Sequence, residues 1–284
     1  MQFIKQNKFK IFIVFFILLA VVIPASFFAK ESEEVQLERQ KHLCWFALKR
    51  IGVALLQYAE KEGQGAFPPD LETLIQKKYL DDAAILHCKA MPDAGYTYIP
   101  GLRLDMPGNI PLIVETNAPH WVMLSASSKE RRGFVLFSDF SVFLAIPRRQ
   151  EKRVIQEAKE AVALTQSNDT SKLVQILQMS STNERVKAMA LWKLRALNHT
   201  GDWNVIVGCL SSRSGEVSRQ AALLLWQKDR QQSLPTIQRA MLQDNYFIRK
   251  NTWATIFPEY IHDIRFISPD LGHQALLEYV KRTK

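Results

Sequence analysis

The chain has 284 residues with 47% hydrophobic and 23% charged side chains and a formal charge of +9. That is enough for one large domain or two smaller ones, each with its own core, and the average composition is that of a globular protein. Three cysteines are too few for a disulfide scaffold, yet enough for one bridge and a leftover thiol.

The charge is unevenly spread. Residues 1–30 carry four lysines and no acid, residues 31–150 carry 14 basic and 15 acidic groups, and residues 151–284 carry 19 basic and 13 acidic. The shift places a boundary near 147–151, at "IPRRQEKR". A basic N-terminus (1–10) precedes "IFIVFFILLAVVIPASFFA" at 11–29, which holds no charge. As a helix this segment spans about 28 Å, close to the hydrocarbon thickness of a bilayer. Lys5, Lys8 and Lys10 lie before it, and Lys30 begins a cluster with Glu31, Glu33 and Glu34. The positive-inside bias then predicts a cytoplasmic N-terminus and an extracytoplasmic remainder, an uncleaved anchor in a bacterial inner membrane with the bulk in the periplasm. A cleaved signal peptide ending at Ala29 is the rival reading, and Phe27 stands where such a site wants a small residue.

Outside the cytoplasm a disulfide is permitted. Cys44 and Cys88 both fall in the middle segment and form the favoured pair, with two buried thiols as the alternative. Cys209 sits in an apolar helical stretch as a small hydrophobe. No cysteines or histidines show the close spacing of a zinc site, so no metal and no cofactor is expected.

From Glu31 to Glu62, Gly52 is the one glycine and proline is absent. Leu48, Ile51, Leu55, Leu56, Tyr58 and Ala59 follow a mostly helical spacing, so a long helix is predicted. Gly63, Gly65, Pro68 and Pro69 end it, and "DLETLIQKKYL" follows as a short helix with Asp70 as N-cap. After Cys88 the pattern turns β-rich, in runs at 95–102, 109–116, 120–126 and 133–146, the last reading as a hairpin. The predicted packing lays the long helix across a small antiparallel sheet of about four strands.

This segment resembles type IV pilin-like pseudopilins. It is most similar to a bacterial subset described as type II secretion-like or H-X9-DG proteins. Cys44, Leu48, Lys49, Ile51, Gly52, Ala54 and Leu55 match the first block, and Phe67, Pro68, Pro69, Asp70 and Leu71 the second. Cys88, Tyr96 and Tyr98 follow, then Leu136, Phe137 and Asp139. The resemblance covers about residues 40–146 and implies a pilin-like α+β domain over 30–147. The chain departs from the pattern in three places. The Gly-Phe-Thr-Leu-Ile-Glu type stretch cut by a prepilin peptidase is absent, the apolar segment holds no Glu, and the final Asp-Gly-His is Asp139-Phe140-Ser141. These departures suit a pilin-like module used as a fixed anchor-bound domain better than a fibre subunit.

Over 151–284 three segments recur at a spacing of 31 residues, starting at Val186, Val217 and Ile248. Each is followed by more apolar helical sequence, with "AKEAVALTQ" and "TSKLVQILQ" at 158–178 as an earlier pair and 268–282 as a closing helix. The period marks stacked helical hairpins and resembles short HEAT repeats, with a plain helical bundle as the alternative. Such stacks offer extended surfaces to protein partners. Lys187, Arg219 and Arg249, just after the leading Val or Ile, are the candidate interaction face, with a solvated face as the bland reading. An acidic protein partner or anionic lipid fits it better than nucleic acid.

No phosphate loop or nucleophile elbow is present. Two places set an acid near a histidine, "ETNAPH" at 115–120 and "HDIR" at 262–265, and the other histidines stand apart. No catalytic residue and no small-molecule substrate is indicated. The expected function is a non-enzymatic membrane-anchored scaffold or adaptor in an envelope assembly. The alternatives are a true pseudopilin subunit and an envelope hydrolase or ligand-binding enzyme.

Overall fold

The computed structural model describes residues 33–88, 95–117, 120–125 and 128–229, with positions 233, 235 and 236 beyond. The expected N-terminus at 1–10, membrane segment at 11–29, third repeat with Arg249 and closing helix at 268–282 lie outside the described residues. Among those described, no helix is long and apolar enough to cross a membrane.

Helix α1 runs over Glu33–Lys61. Cys44, Leu48, Ile51 and Leu55 recur three or four residues apart and are each 0% exposed, so one stripe of the helix is sunk in the core. Gly52 lies on this side, where a Cβ would stand 3.3 Å from Leu136 Cδ1, so glycine lets the helix approach the sheet closely. The chain turns through Gly63–Gly65 into the short helix α2 (Glu72–Gln76). Asp70 acts as its cap, with Oδ1 accepting from Thr73 N at 2.8 Å and Thr73 Oγ1 at 2.6 Å. These bonds hold its carboxyl below the usual range.

The sheet has five strands: β1 (Tyr96–Tyr98), β2 (Pro111–Glu115), β3 (His120–Ser125), β4 (Ser128–Phe137) and β5 (Val142–Pro147). All pairings are antiparallel, in the order β1-β2-β4-β3 with β5 also on β4. The predicted last hairpin is β4–β5. Strand β4 differs from expectation by beginning at Ser128, in the charged run "SKERRG". Its charges are accommodated across and along the strand: Arg131 lies 4.9 Å over the Trp121 ring of β3, and within β4 Glu130 meets Arg132 at 3.2 Å. All five β2 residues are buried, so both faces of that strand are covered. Helix α1 packs on β3, β4 and β5, and the first helix after the sheet packs on β2.

That helix, α3 (Glu151–Ala163), follows β5 after one 3-10 turn and buries Val154, Ala158 and Ala161. Four more helices follow: α4 (Thr170–Gln178), α5 (Glu184–Ala196), α6 (Trp203–Cys209) and α7 (Gly215–Lys228). Asp169, Asn183 and Ser214 cap α4, α5 and α7 through their side-chain oxygens. Helix α5 packs on α7, α4 on α5 and α6 on α7. The period of 31 is visible in the core: Val186 and Val217, Ala190 and Ala221, Leu194 and Leu225 are equivalent pairs, all buried. The small pair lets α5 and α7 approach, and the branched pairs fill the seam.

The chain changes from sheet to helices where its charge changes, but the packing does not stop there. One contiguous set of buried side chains runs from Cys44 to Leu225. Arg185 of α5 reinforces the junction, its Nη1 donating to Glu157 Oε2 at 2.6 Å and its Nε to the Asn109 carbonyl at 3.3 Å.

Candidate functional site

Cys44 on α1, Cys88 after the 3-10 turn at Ala83–Leu86, Glu115 at the end of β2 and His120 at the start of β3 meet in the core. One ligand-type atom from each lies within 4.8 Å of all the others. Exposure is 0%, 3%, 0% and 1% respectively. Four elements separated in sequence thus deliver two sulfurs, a carboxylate and an imidazole to one point.

The sheet register explains how. Val114 pairs with Val135 and His120 with Arg132, so the five residues of sequence between Val114 and His120 correspond to only two, Gly133 and Phe134, on β4. β2 and β3 therefore lie along the same edge of β4, and Glu115, at the end of one, and His120, at the start of the other, become neighbours. Gly133 stands opposite, where a Cβ would be 2.5 Å from the Glu115 carbonyl oxygen, so that close passage needs glycine.

His120 Nε2 lies 3.3 Å from Glu115 Oε1 and 3.2 Å from Oε2. Glu115 Oε2 also accepts the Phe134 N–H at 2.9 Å. The His120 ring meets Phe134 edge-on at 5.0 Å. Burial alone pulls the imidazole pKa down, but the hydrogen bond to Cys88 and the Glu115 carboxylate outweigh it and hold it up at about 9. The Cys44 and Cys88 sulfurs are 2.9 Å apart, both as thiols. This bond to Cys44, then burial, drive the Cys88 pKa well above that of an ordinary thiol. A thiol so disposed is a poor nucleophile, because the thiolate is the reactive form. Tyr96 is the cross-strand partner of Glu115. Its Oη is buried with no hydrogen-bond partner among the described residues, and burial followed by Glu115, Cys44 and Cys88 raises its pKa.

The expected Cys44–Cys88 pair is therefore brought together. Glu115 and His120, noticed in sequence as an acid near a histidine, join it. No zinc site is expected from cysteines and histidines that are not closely spaced in sequence; these four ligand-type residues come from separate elements. Spacing in the chain could not find them, because strand register decides the meeting. Of the other described histidines, His199 Nε2 is 3.1 Å from Asp202 Oδ2, the His87 backbone forms an isolated bridge with Gly95, and His42 is exposed on α1. Asp82 caps the 3-10 turn, its Oδ1 accepting from Ala84 N at 2.8 Å. His262 and His273 lie outside the described residues.

Of the candidate interaction face, Lys187 is mostly covered and lies 3.8 Å from Glu184, while Arg219 is 44% exposed and meets Glu216 at 3.1 Å. Each of these two cations has an acid one turn earlier, so the described part of the stripe is closer to charge-balanced than the basic count suggests. Lys187 also lines an open groove among α4, α5, α6 and α7, with Asn204, Gly208, Ser212 and Arg213. Nothing lies within 4 Å of where a Gly208 Cβ would stand, so the groove is open there. Comparison with family models, curated proteins and solved structures finds no match.

Proposed function

We propose that the chain is a non-enzymatic, single-pass scaffold of a bacterial inner membrane. Its N-terminus is cytoplasmic, and its folded body stands on the periplasmic side as a pilin-like module carrying HEAT-like hairpins. It offers those hairpins to a protein partner in an envelope assembly, with secretion as the leading setting. The observation that supports this is the unbroken core from α1 into α7. A body joined in this way holds a partner at a fixed attitude to α1, whose described residues start at Glu33, close behind the apolar segment of the sequence. The partner would enter the groove beside Lys187, Asn204 and Arg213.

A second reading has its own observation. Val35, Phe46 and Val53 form an apolar stripe on α1 away from the sheet, at 51%, 57% and 54% exposure. Such a stripe suits packing of spine helices into a fibre. An enzyme reading is weaker, because the cluster of cysteine, histidine and carboxylate is buried at all four positions.

Photo-crosslinking residues placed at Asn204, Arg213 or Phe46 of the full chain, in its native host, separate these readings. The scaffold predicts one adduct with a different protein from Asn204 and Arg213. A ladder of self-adducts from Phe46, with none from the groove, would replace it by the fibre.

A further inference from the structure

We propose that Cys44, Cys88, Glu115 and His120 bind one zinc ion, as a closed structural site that pins α1 to the sheet. The donor set is the first reason. Two sulfurs, an imidazole and a carboxylate are the ligands a borderline-soft divalent cation selects, and four protein ligands with no open position mark a structural rather than a catalytic zinc site.

Geometry is the second. Zinc–sulfur bonds of about 2.3 Å in a tetrahedron put two sulfurs about 3.8 Å apart. The four ligand atoms already lie within 4.8 Å of one another. The two sulfurs, at 2.9 Å, need to open by somewhat less than an ångström.

The third reason is what a disulfide leaves unexplained. A Cys44–Cys88 bond would use the two sulfurs and nothing else. Glu115 and His120 would remain as a buried pair beside it, at 0% and 1% exposure. Taking both groups out of water carries a desolvation cost that their mutual attraction offsets only in part. A cation at the centre uses all four side chains.

The surroundings fit a ligand shell. The Phe134 N–H holds Glu115 Oε2, which leaves Oε1 for the metal and fixes the carboxylate's orientation. Two thiolates and a carboxylate exceed the ion's charge by one, and the buried Tyr96 O–H, which has no acceptor among the described residues, is a donor available to that shell. Metal binding would expel the thiol protons, so zinc and the disulfide are mutually exclusive states of the same sulfurs.

The test uses the full chain, extracted from its own membrane in mild detergent without chelator or reductant, then measured for metal and mapped for disulfides. The expected result is about one zinc per chain and no Cys44–Cys88 bond. Metal-stripped, reduced protein titrated with cobalt(II) should show thiolate-to-metal charge transfer and tetrahedral ligand-field bands. Glu115→Gln and His120→Gln should each weaken zinc binding by more than about 100-fold, the upper end of what outer-shell changes cost. Cys209→Ser, remote in α6, should leave it unchanged. The cobalt spectrum is read on the unmutated chain, so it decides the matter even where a variant fails to fold. Isolated protein with a Cys44–Cys88 disulfide and no zinc would overturn the proposal. So would a folded, reduced chain giving no cobalt–thiolate band, or a folded His120→Gln binding zinc as the parent does.

Discussion

Gly133→Ala places one methyl group in the seam that brings Glu115 and His120 together. Its carbon would stand 2.5 Å from the Glu115 carbonyl oxygen, and contacts below 3.0 Å are essentially never seen, so β2 and β4 must part by at least 0.5 Å. The obstacle is backbone, held in register by the adjacent Val114–Val135 pair and by the Phe134 N–H bond to Glu115 Oε2. Overpacking costs about 1–3 kcal/mol, and a clash with backbone belongs at the upper end. Alanine returns about 0.4–1 kcal/mol by restricting the unfolded chain. The net expectation is a loss of about 2 kcal/mol. Urea unfolding of the full chain in detergent micelles, followed by far-UV circular dichroism, reads it. The same displacement pulls Phe134 N–H from Glu115 Oε2, so zinc affinity should fall alongside stability. A stability loss under about 0.5 kcal/mol, typical of an unconstrained surface site, would refute the view that glycine is what allows this passage.

Other substitutions test the turn and the junction. Phe140 has φ 62°, the left-handed region, and packs edge-on against Phe67 at 5.9 Å. Phe140→Ala and Phe140→Gly lose the same ring, but glycine avoids the backbone strain, so Phe140→Gly should be the more stable by about 1 kcal/mol in urea unfolding. Equal stabilities would mean that no strain is held there. Arg185→Ala removes the bonds to Glu157 and to the Asn109 carbonyl and should cost about 1–3 kcal/mol, with Arg185→Lys recovering little of it. An unchanged unfolding midpoint would mean the helices hold to the sheet without it.

What could be read from the sequence depended on whether the signal was local. Leu48, Ile51 and Leu55 announce the buried stripe of α1, because three- and four-residue spacing is a property of one helix. The seam of α5 and α7 was visible at Val186 and Val217 for a similar reason, since a repeat carries its register within itself. The first half of β4 was hidden, as its charged run reads as loop until Trp121 stands beside Arg131 and Arg149 beside Glu130. The acids that balance Lys187 and Arg219 were in plain view three residues earlier, at Glu184 and Glu216, and were the missed signal. The four-residue cluster was only half legible. Cys44 and Cys88 suggested each other by lying in one segment, whereas their meeting with Glu115 and His120 depends on the register of β2 and β3 along β4. Phe140 occupies the place where the resembled motif has glycine, and its positive φ is what glycine would favour there.

That the folded body stands beyond the cytoplasm on a fixed anchor is tested most directly by protease accessibility in spheroplasts. An extracytoplasmic body predicts digestion from outside of everything after about residue 30, leaving a short membrane-protected N-terminal fragment that begins at Met1. A chain that stays intact until the inner membrane is lysed, or that is released by carbonate as a soluble protein, would contradict it.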